Sequence, residues 1–392
     1  MSASCITKAG FQLLLPTEVS IEFDLEKIRE SQTEVTQQCD KHTVSFQRTQ
    51  TVIIELKSDR SPFILPDAGK LKAENMSTGS EANELDREVD ASMRMFEKAQ
   101  VGPAASLTPI KPSRILVVLD GSSQDDNTLA SATFLREKFN TETLVLDARD
   151  GKTEQDEDLA VTRATEVSGA RPIQRQDGDS YDAILAALKE LSVDLLILPS
   201  PFGRSFENIG IDSAGTVMDV MLSRCPTPMI VMRRDDQQLR DCVQHIEMVV
   251  GSECEVEERA AAWSFGLAAE SANVTLNLVL EKEQFENIRS IIEVIQPEAQ
   301  IDAEKFSAAL TKTHHSLHGA MAKTATTLGM NYALHPIAGE VAPPNSLDET
   351  KKLLMVLPLE VDDRFGQGFV QDRIRRSPHP VLIVSGHVPK TS

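Results

Sequence analysis

Cys225-Pro226-Thr227-Pro228-Met229-Ile230-Val231-Met232 and Ser377-Pro378-His379-Pro380-Val381-Leu382-Ile383-Val384 share one layout, a Pro-x-Pro step followed by an apolar run. A short amphipathic helix pattern precedes each step, so the economical reading is an internal repeat. Working back from Met232, the runs Leu195-Leu196-Ile197-Leu198, Pro172-Ile173, Leu144-Val145-Leu146 and Ile115-Leu116-Val117-Val118-Leu119 alternate with helical patterns. Near-continuous apolar strands separated by helices predict a mostly parallel sheet covered on both faces. The polar run Arg233-Arg234-Asp235-Asp236-Gln237-Gln238 reads as a boundary, after which the same order returns.

The chain therefore reads as two tandem Rossmann-like α/β domains, each a five-stranded parallel sheet, over residues 111–234 and, in degenerate form, 245–388. The fifth strands, Met229–Met232 and Val381–Val384, present edge N–H and C=O groups that must be paired or covered, which predicts an intramolecular pseudo-dimer joined through them. Residues 1–110 are rich in Ser, Thr, Gln and charge and show no sustained periodicity. They are expected to form a largely disordered or weakly folded extension ending in a linker at Val101-Gly102-Pro103-Ala104-Ala105.

Composition narrows the partners. Across 392 residues the formal net charge is -20, which argues against a non-specific nucleic-acid or anionic-membrane surface, since those partners are themselves anionic. Five cysteines, with no C-x-x-C pair, fit neither a disulfide framework nor a common zinc site, so a reducing cytoplasm is the expected compartment.

Four features resemble the universal stress protein family in its tandem-domain form. They are Val117-Val118-Leu119-Asp120-Gly121-Ser122, Gly178-Asp179-Ser180, Gly203-Arg204-Ser205, and Gly215-Thr216-Val217 opening a helix that runs to the first Pro-x-Pro step. The resemblance covers residues 113–234, with only the layout and ending of the second copy. It implies adenine nucleotide, ATP or another, held through G-x-x-G-x9-G-[S/T], with Asp120 at the base or ribose and Val145 against the ring. Glycines let backbone N–H groups approach phosphate, and a helix N-terminus adds partial positive charge. Here Ser200 stands at the first glycine, Pro201 removes a donor, and eleven residues separate Gly203 from Gly215-Thr216. The loop adds Glu207 and Asp212, which Arg204 alone does not outweigh without Mg²⁺.

Two readings stand side by side. One is a non-enzymatic stress-response protein whose first domain binds nucleotide and whose second, lacking an acidic residue at Val250-Gly251-Ser252, does not. The other is a nucleotide-independent interaction or scaffold module. No G-x-S-x-G elbow or catalytic base supports an enzyme. His314, His315 and His318 form H-H-x-x-H, read as a solvated helix face rather than a metal site, and Cys225 is read as core.

Overall fold

A computed structural model of the protein describes residues 104–151, 157–203, 215–251, 254–295 and 302–386. The expected extension up to residue 103, and the loop residues Arg204, Glu207 and Asp212, lie outside the described residues. The first half runs β1 (Arg114–Leu119), α1 (Gln124–Phe139), β2 (Glu142–Asp147), α2 (Leu159–Ala164), β3 (Arg171–Ile173), α3 (Ser180–Leu191), β4 (Leu195–Pro199), α4 (Thr216–Arg224) and β5 (Met229–Met232). A short α5 (Leu239–Cys242) leads into β6 (His245–Val250), α6 (Glu257–Leu267), β7 (Asn273–Leu280), α7 (Lys282–Ile295), α8 (Ala303–Thr313) and α9 (His315–Leu328). Then come β8 (Asn331–Ala338), β9 (Leu354–Glu360), α10 (Arg364–Arg376) and β10 (Val381–Gly386).

All strands join one ten-stranded sheet in the order β3-β2-β1-β4-β5-β10-β9-β6-β7-β8. Within each half the pairs are parallel. Where the halves meet, β5 and β10 run antiparallel, with Val231 opposite Val381, Ile230 opposite Leu382 and Met229 opposite Ile383. The pleat sends Ile115, Val117 and Leu119 into a core on one face and Leu116 and Val118 into a core on the other. Each such side chain removed from water contributes about 1.5–3 kcal/mol before chain entropy is counted. Both cores cross the junction, Ile230 and Leu382 in the first, Val231 and Ile383 in the second, so the two repeats share their interiors.

Residues 104–112 depart from the expectation of a weakly folded extension up to residue 110. They run along the second half before entering β1: the Leu107 N–H donates to Thr324 Oγ1 at 2.8 Å and the Ile110 N–H to the Ala262 carbonyl at 3.0 Å. Lys323 Nζ donates to the Ala104 carbonyl at 3.0 Å. The composition reads as the end of that extension because it is mostly small and polar. Its two large apolar residues, Leu107 and Ile110, have surface to cover on the other repeat. From α1, Lys138 Nζ donates to the Leu267 and Ala268 carbonyls at 2.8 and 2.7 Å, a basic cap on the α6 C-terminus.

The presumed boundary at Arg233 is also interior. Arg233 is fully buried, its guanidinium donating to the Ser200 carbonyl (3.0 Å) and Oγ (2.9 Å), to the Ser377 carbonyl (3.2 Å) and to the Arg375 carbonyl (3.2 Å). Nearby, Asn127 Nδ2 donates to the Gln237 carbonyl at 3.0 Å, and Gln237 Oε1 lies 3.0 Å from His379 Nδ1. An amide oxygen accepts, so the proton is assigned to Nδ1 of a neutral His379. Burial, then the Arg234 charge, pulls the His379 pKa down to about 4.

Two outcomes follow from this packing. A Cβ on Gly266 would lie 1.7 Å from the Ile110 carbonyl oxygen, so Gly266→Ala should lower the thermal midpoint, with a cost of about 1–3 kcal/mol. An unchanged midpoint would mean that the 104–112 strap does not lie on α6. For His379 the folded pKa is depressed, so the unfolded chain takes up the proton first. Its contribution is complete above the ordinary value of 6.5 and is lost as pH falls toward about 4. Urea midpoints across that window should show His379→Asn less acid-sensitive than wild type by about 1–3 kcal/mol.

Candidate functional site

In an open sheet of order 3-2-1-4-5 the chain leaves β1 and β4 in opposite directions, and the crevice at their carboxyl ends is where ligands are received. Asp120 follows β1 directly and is nearly buried. Its Oδ1 accepts the Ser122 N–H at 2.8 Å, which forms the turn, and its Oδ2 accepts the Gly203 N–H at 2.5 Å, which spans the crevice. Asp125, in the first turn of α1, accepts the N–H groups of Asp120 (3.0 Å) and Gly121 (2.9 Å). Burial raises the Asp125 pKa to about 7, and the neighbouring Asp120 carboxyl pushes the same way.

The Ser200–Gly203 turn is held from below. Ser200 is fully buried, its N–H shared between the Met232 carbonyl (2.9 Å) and Gln124 Oε1 (3.2 Å), while its Oγ receives Arg233. The serine that replaces the first glycine thus has a packing role. Gly203 adopts φ +67° and Gly215, at the N-cap of α4, φ +97°. At neither would a Cβ meet anything within 4 Å, so backbone conformation rather than crowding selects glycine there. Thr216 is exposed on the first turn of α4, and Val217 turns into the core.

The structure brings together Asp120, Gly121, Ser122, Ser200 and Gly203. It does not bring Val145 to them: that side chain sits in mid-β2, between Val117 and Pro172 on the neighbouring strands, with no exposure. The β2 residues that reach the crevice are Asp147 and, just beyond, Arg149. Arg149 binds Asp147 through two bonds of 3.0 and 2.8 Å and lies over Gly121, its Cδ 2.8 Å from where a Cβ would be. Asp125, Arg149 and Arg233 escape sequence reasoning because each reads locally as an ordinary helix-start acid, loop base or boundary base. Asp150 Oδ1 accepts the Ser180 N–H at 2.9 Å and Ser180 Oγ bonds the Ala148 carbonyl at 2.5 Å, which ties Gly178-Asp179-Ser180 to the same end of the sheet.

The corresponding mouth in the second half is filled. Phe369 of α10 lies over Gly251, its Cε2 2.3 Å from where a Cβ would be, and Arg373 stacks on that ring at 3.3 Å while pairing with Glu281 beyond β7. The histidine cluster separates: His314 turns inward, 3.5 Å from Glu257, and His318 Nδ1 lies 3.0 Å from the Tyr332 hydroxyl. A solvated face does not describe His314, because α9 packs its first turn against α6. No group of His, Cys, Asp and Glu among the described residues is arranged to hold a metal ion. Cys225 is fully buried, and burial raises its thiol pKa to about 11.

No family model matches the chain, and no curated protein matches it. Solved structures with a similar fold include a universal stress protein from Archaeoglobus fulgidus, at 15% identity and TM-score 0.44, covering 70% of this chain and 96% of that one. A functionally unknown protein from Pseudomonas aeruginosa is similar at 12% identity and TM-score 0.44, covering 70% and 93%. The strand order and pairing, rather than these distant matches, define the architecture. No helix among the described residues is long and apolar enough to cross a membrane.

Arg233 carries the site's support, so Arg233→Lys should destabilise the protein by about 2 kcal/mol. An ammonium carries three donors on one nitrogen, too few for the four acceptors, Ser200 O and Oγ, Ser377 O and Arg375 O, that three guanidinium nitrogens reach. Equal denaturant midpoints for the two proteins would show that this network is dispensable.

Proposed function

We propose that this chain is a non-enzymatic, nucleotide-independent interaction scaffold of universal stress protein-like fold, working in a stress-response setting in the cytoplasm. The observation that carries the reading is the capture of the Gly203 N–H by Asp120 Oδ2 at 2.5 Å. A phosphate at this crevice needs free amide donors and positive potential. Here the Asp120, Gly121, Ser122 and Gly203 amides all donate to carboxylates of the chain itself. Releasing them would place a phosphate against the Asp120–Asp125 pair, a repulsion of about 4 kcal/mol at ~4 Å for each negative charge the pair carries, at an effective dielectric near 20. The formal net charge of -20 favours a partner with a cationic face and disfavours nucleic acid and anionic membrane.

A second reading has its own observation. Gly203 and Gly215 keep positive φ, and no described residue would meet a Cβ within 4 Å at either, which is backbone a phosphate can approach. On that reading ATP or another adenine nucleotide binds once per chain with Mg²⁺, at Asp120, Gly121, Ser122, Gly203, Arg204, Gly215 and Thr216, and the filled second mouth stays empty. Calorimetry of the full chain with ATP and MgCl₂ separates the two. The scaffold reading expects no heat of binding and no nucleotide in natively purified protein. Saturable binding abolished by Gly215→Leu would overturn it.

A further inference from the structure

The first-half mouth is closed by two carboxyl groups that lie against each other with almost no exposure to water. Two charges so placed are costly, so burial and the neighbouring Asp120 carboxyl both favour the proton on Asp125. The same pair accepts four backbone N–H groups, three from the turn after β1 and one, Gly203, from the turn after β4. Only the Gly203 bond spans the crevice. Lifting Ser200–Gly203 away would admit water to the pair and let Asp125 ionise. We propose that the Asp120–Asp125 carboxyl pair is a proton-operated clasp, which holds the Ser200–Gly203 turn down on the mouth of β1 while it carries one proton and loosens it when that proton leaves.

Among the described residues, no other charge at the mouth takes over this role. From β2, Arg149 lies over Gly121 but spends its guanidinium on Asp147 and the Glu157 carbonyl. After β5, Arg233 bonds Ser200 from beneath and Asp235 accepts the Ser123 hydroxyl. On α1, Asp126 turns outward to Arg163. The turn Ser200-Pro201-Phe202-Gly203 has no titratable side chain. The direction follows from linkage. The closed state binds the proton more tightly, with Asp125 titrating at about 7, and an opened, hydrated pair releases it at lower pH. Opening therefore becomes easier as pH rises toward about 7 and levels off above it.

The clasp rests on the closed mouth described above and not on the absence of a ligand, so it is tested without nucleotide. Nucleotide binding found by calorimetry would overturn the scaffold reading and leave this one standing. The measurement is amide exchange of the full-length, ¹⁵N-glycine-labelled protein between pH 5.5 and 8.5, corrected for intrinsic exchange. Gly339, whose N–H is bonded to the Leu280 carbonyl in the other half, serves as control. Protection at Gly203 should fall about tenfold from pH 5.5 to 7.5, one pKa unit of linkage, then stay level while Gly339 does not change. In Asp125→Asn the Gly203 slope should vanish. If that variant does not fold, Asp120→Asn should move the midpoint to lower pH, because it removes the charge that holds the Asp125 proton. A flat wild-type profile, a slope that survives Asp125→Asn, or an unmoved midpoint in Asp120→Asn would overturn the clasp.

Discussion

The antiparallel pairing of β5 with β10 is the contact on which the rest of the structure depends. A five-stranded parallel sheet ends on an unsatisfied edge, and pairing the two fifth strands removes both edges at once while making each core continuous with its counterpart. The paired segment is short, three residue pairs, so side-chain contacts across the join share the load. Gln371 of α10 donates to Asp219 of α4 at 2.6 Å, Lys138 caps α6, and the 104–112 strap lies on α6 and α9. The outer edges are guarded otherwise. β3 has only three residues, one of them Pro172. On β8 the Asn331 and Gly339 amides point to β7, so alternation turns the even-numbered positions outward, where Pro336 has no N–H to offer.

Burying Arg233 costs desolvation, which pulls its pKa down to about 9. Its acceptors come from both repeats, Ser200 on one side and Ser377 and Arg375 on the other, so only one relative placement of the halves satisfies it. His379, at the Pro-x-Pro step, adds a second polar contact across the join through Gln237. The step whose sequence announces the repeat is therefore where the halves recognise each other. In the first copy the matching position is Thr227, so the two copies have diverged at that point.

Much of the architecture was legible because it is written in local patterns. The apolar runs at Ile115–Leu119, Leu195–Leu198 and Val381–Val384 are too continuous for a one-sided strand, and the Pro-x-Pro steps mark where helices stop and strands begin. What was not legible depends on contacts distant in sequence. Arg233 reads as solvated boundary until Ser377 is placed beside it. Leu107 and Ile110 read as the end of a weakly folded extension until α6 supplies a surface, and His314 reads as exposed until Glu257 faces it. At the candidate site, Asp120, Gly121, Ser122, Ser200 and Gly203 do converge, because they end two adjacent parallel strands. Val145 does not, since the mouth begins two residues further on, at Asp147.

The two mouths occupy the same topological place and are closed by different physics. In the second half Phe369 fills the volume over Gly251 and Arg373 covers the ring, so opening it would expose aromatic surface and create a void. In the first half the closure is a set of amide-to-carboxylate bonds, individually worth about 1.5–3 kcal/mol, with open space left beside Gly203. A void penalty does not follow pH, whereas a bond to a buried carboxyl pair changes with protonation. The divergence of the repeats thus divides the labour: the second half is a fixed plug that stabilises the sheet, and the first keeps a mouth whose closure responds to its surroundings.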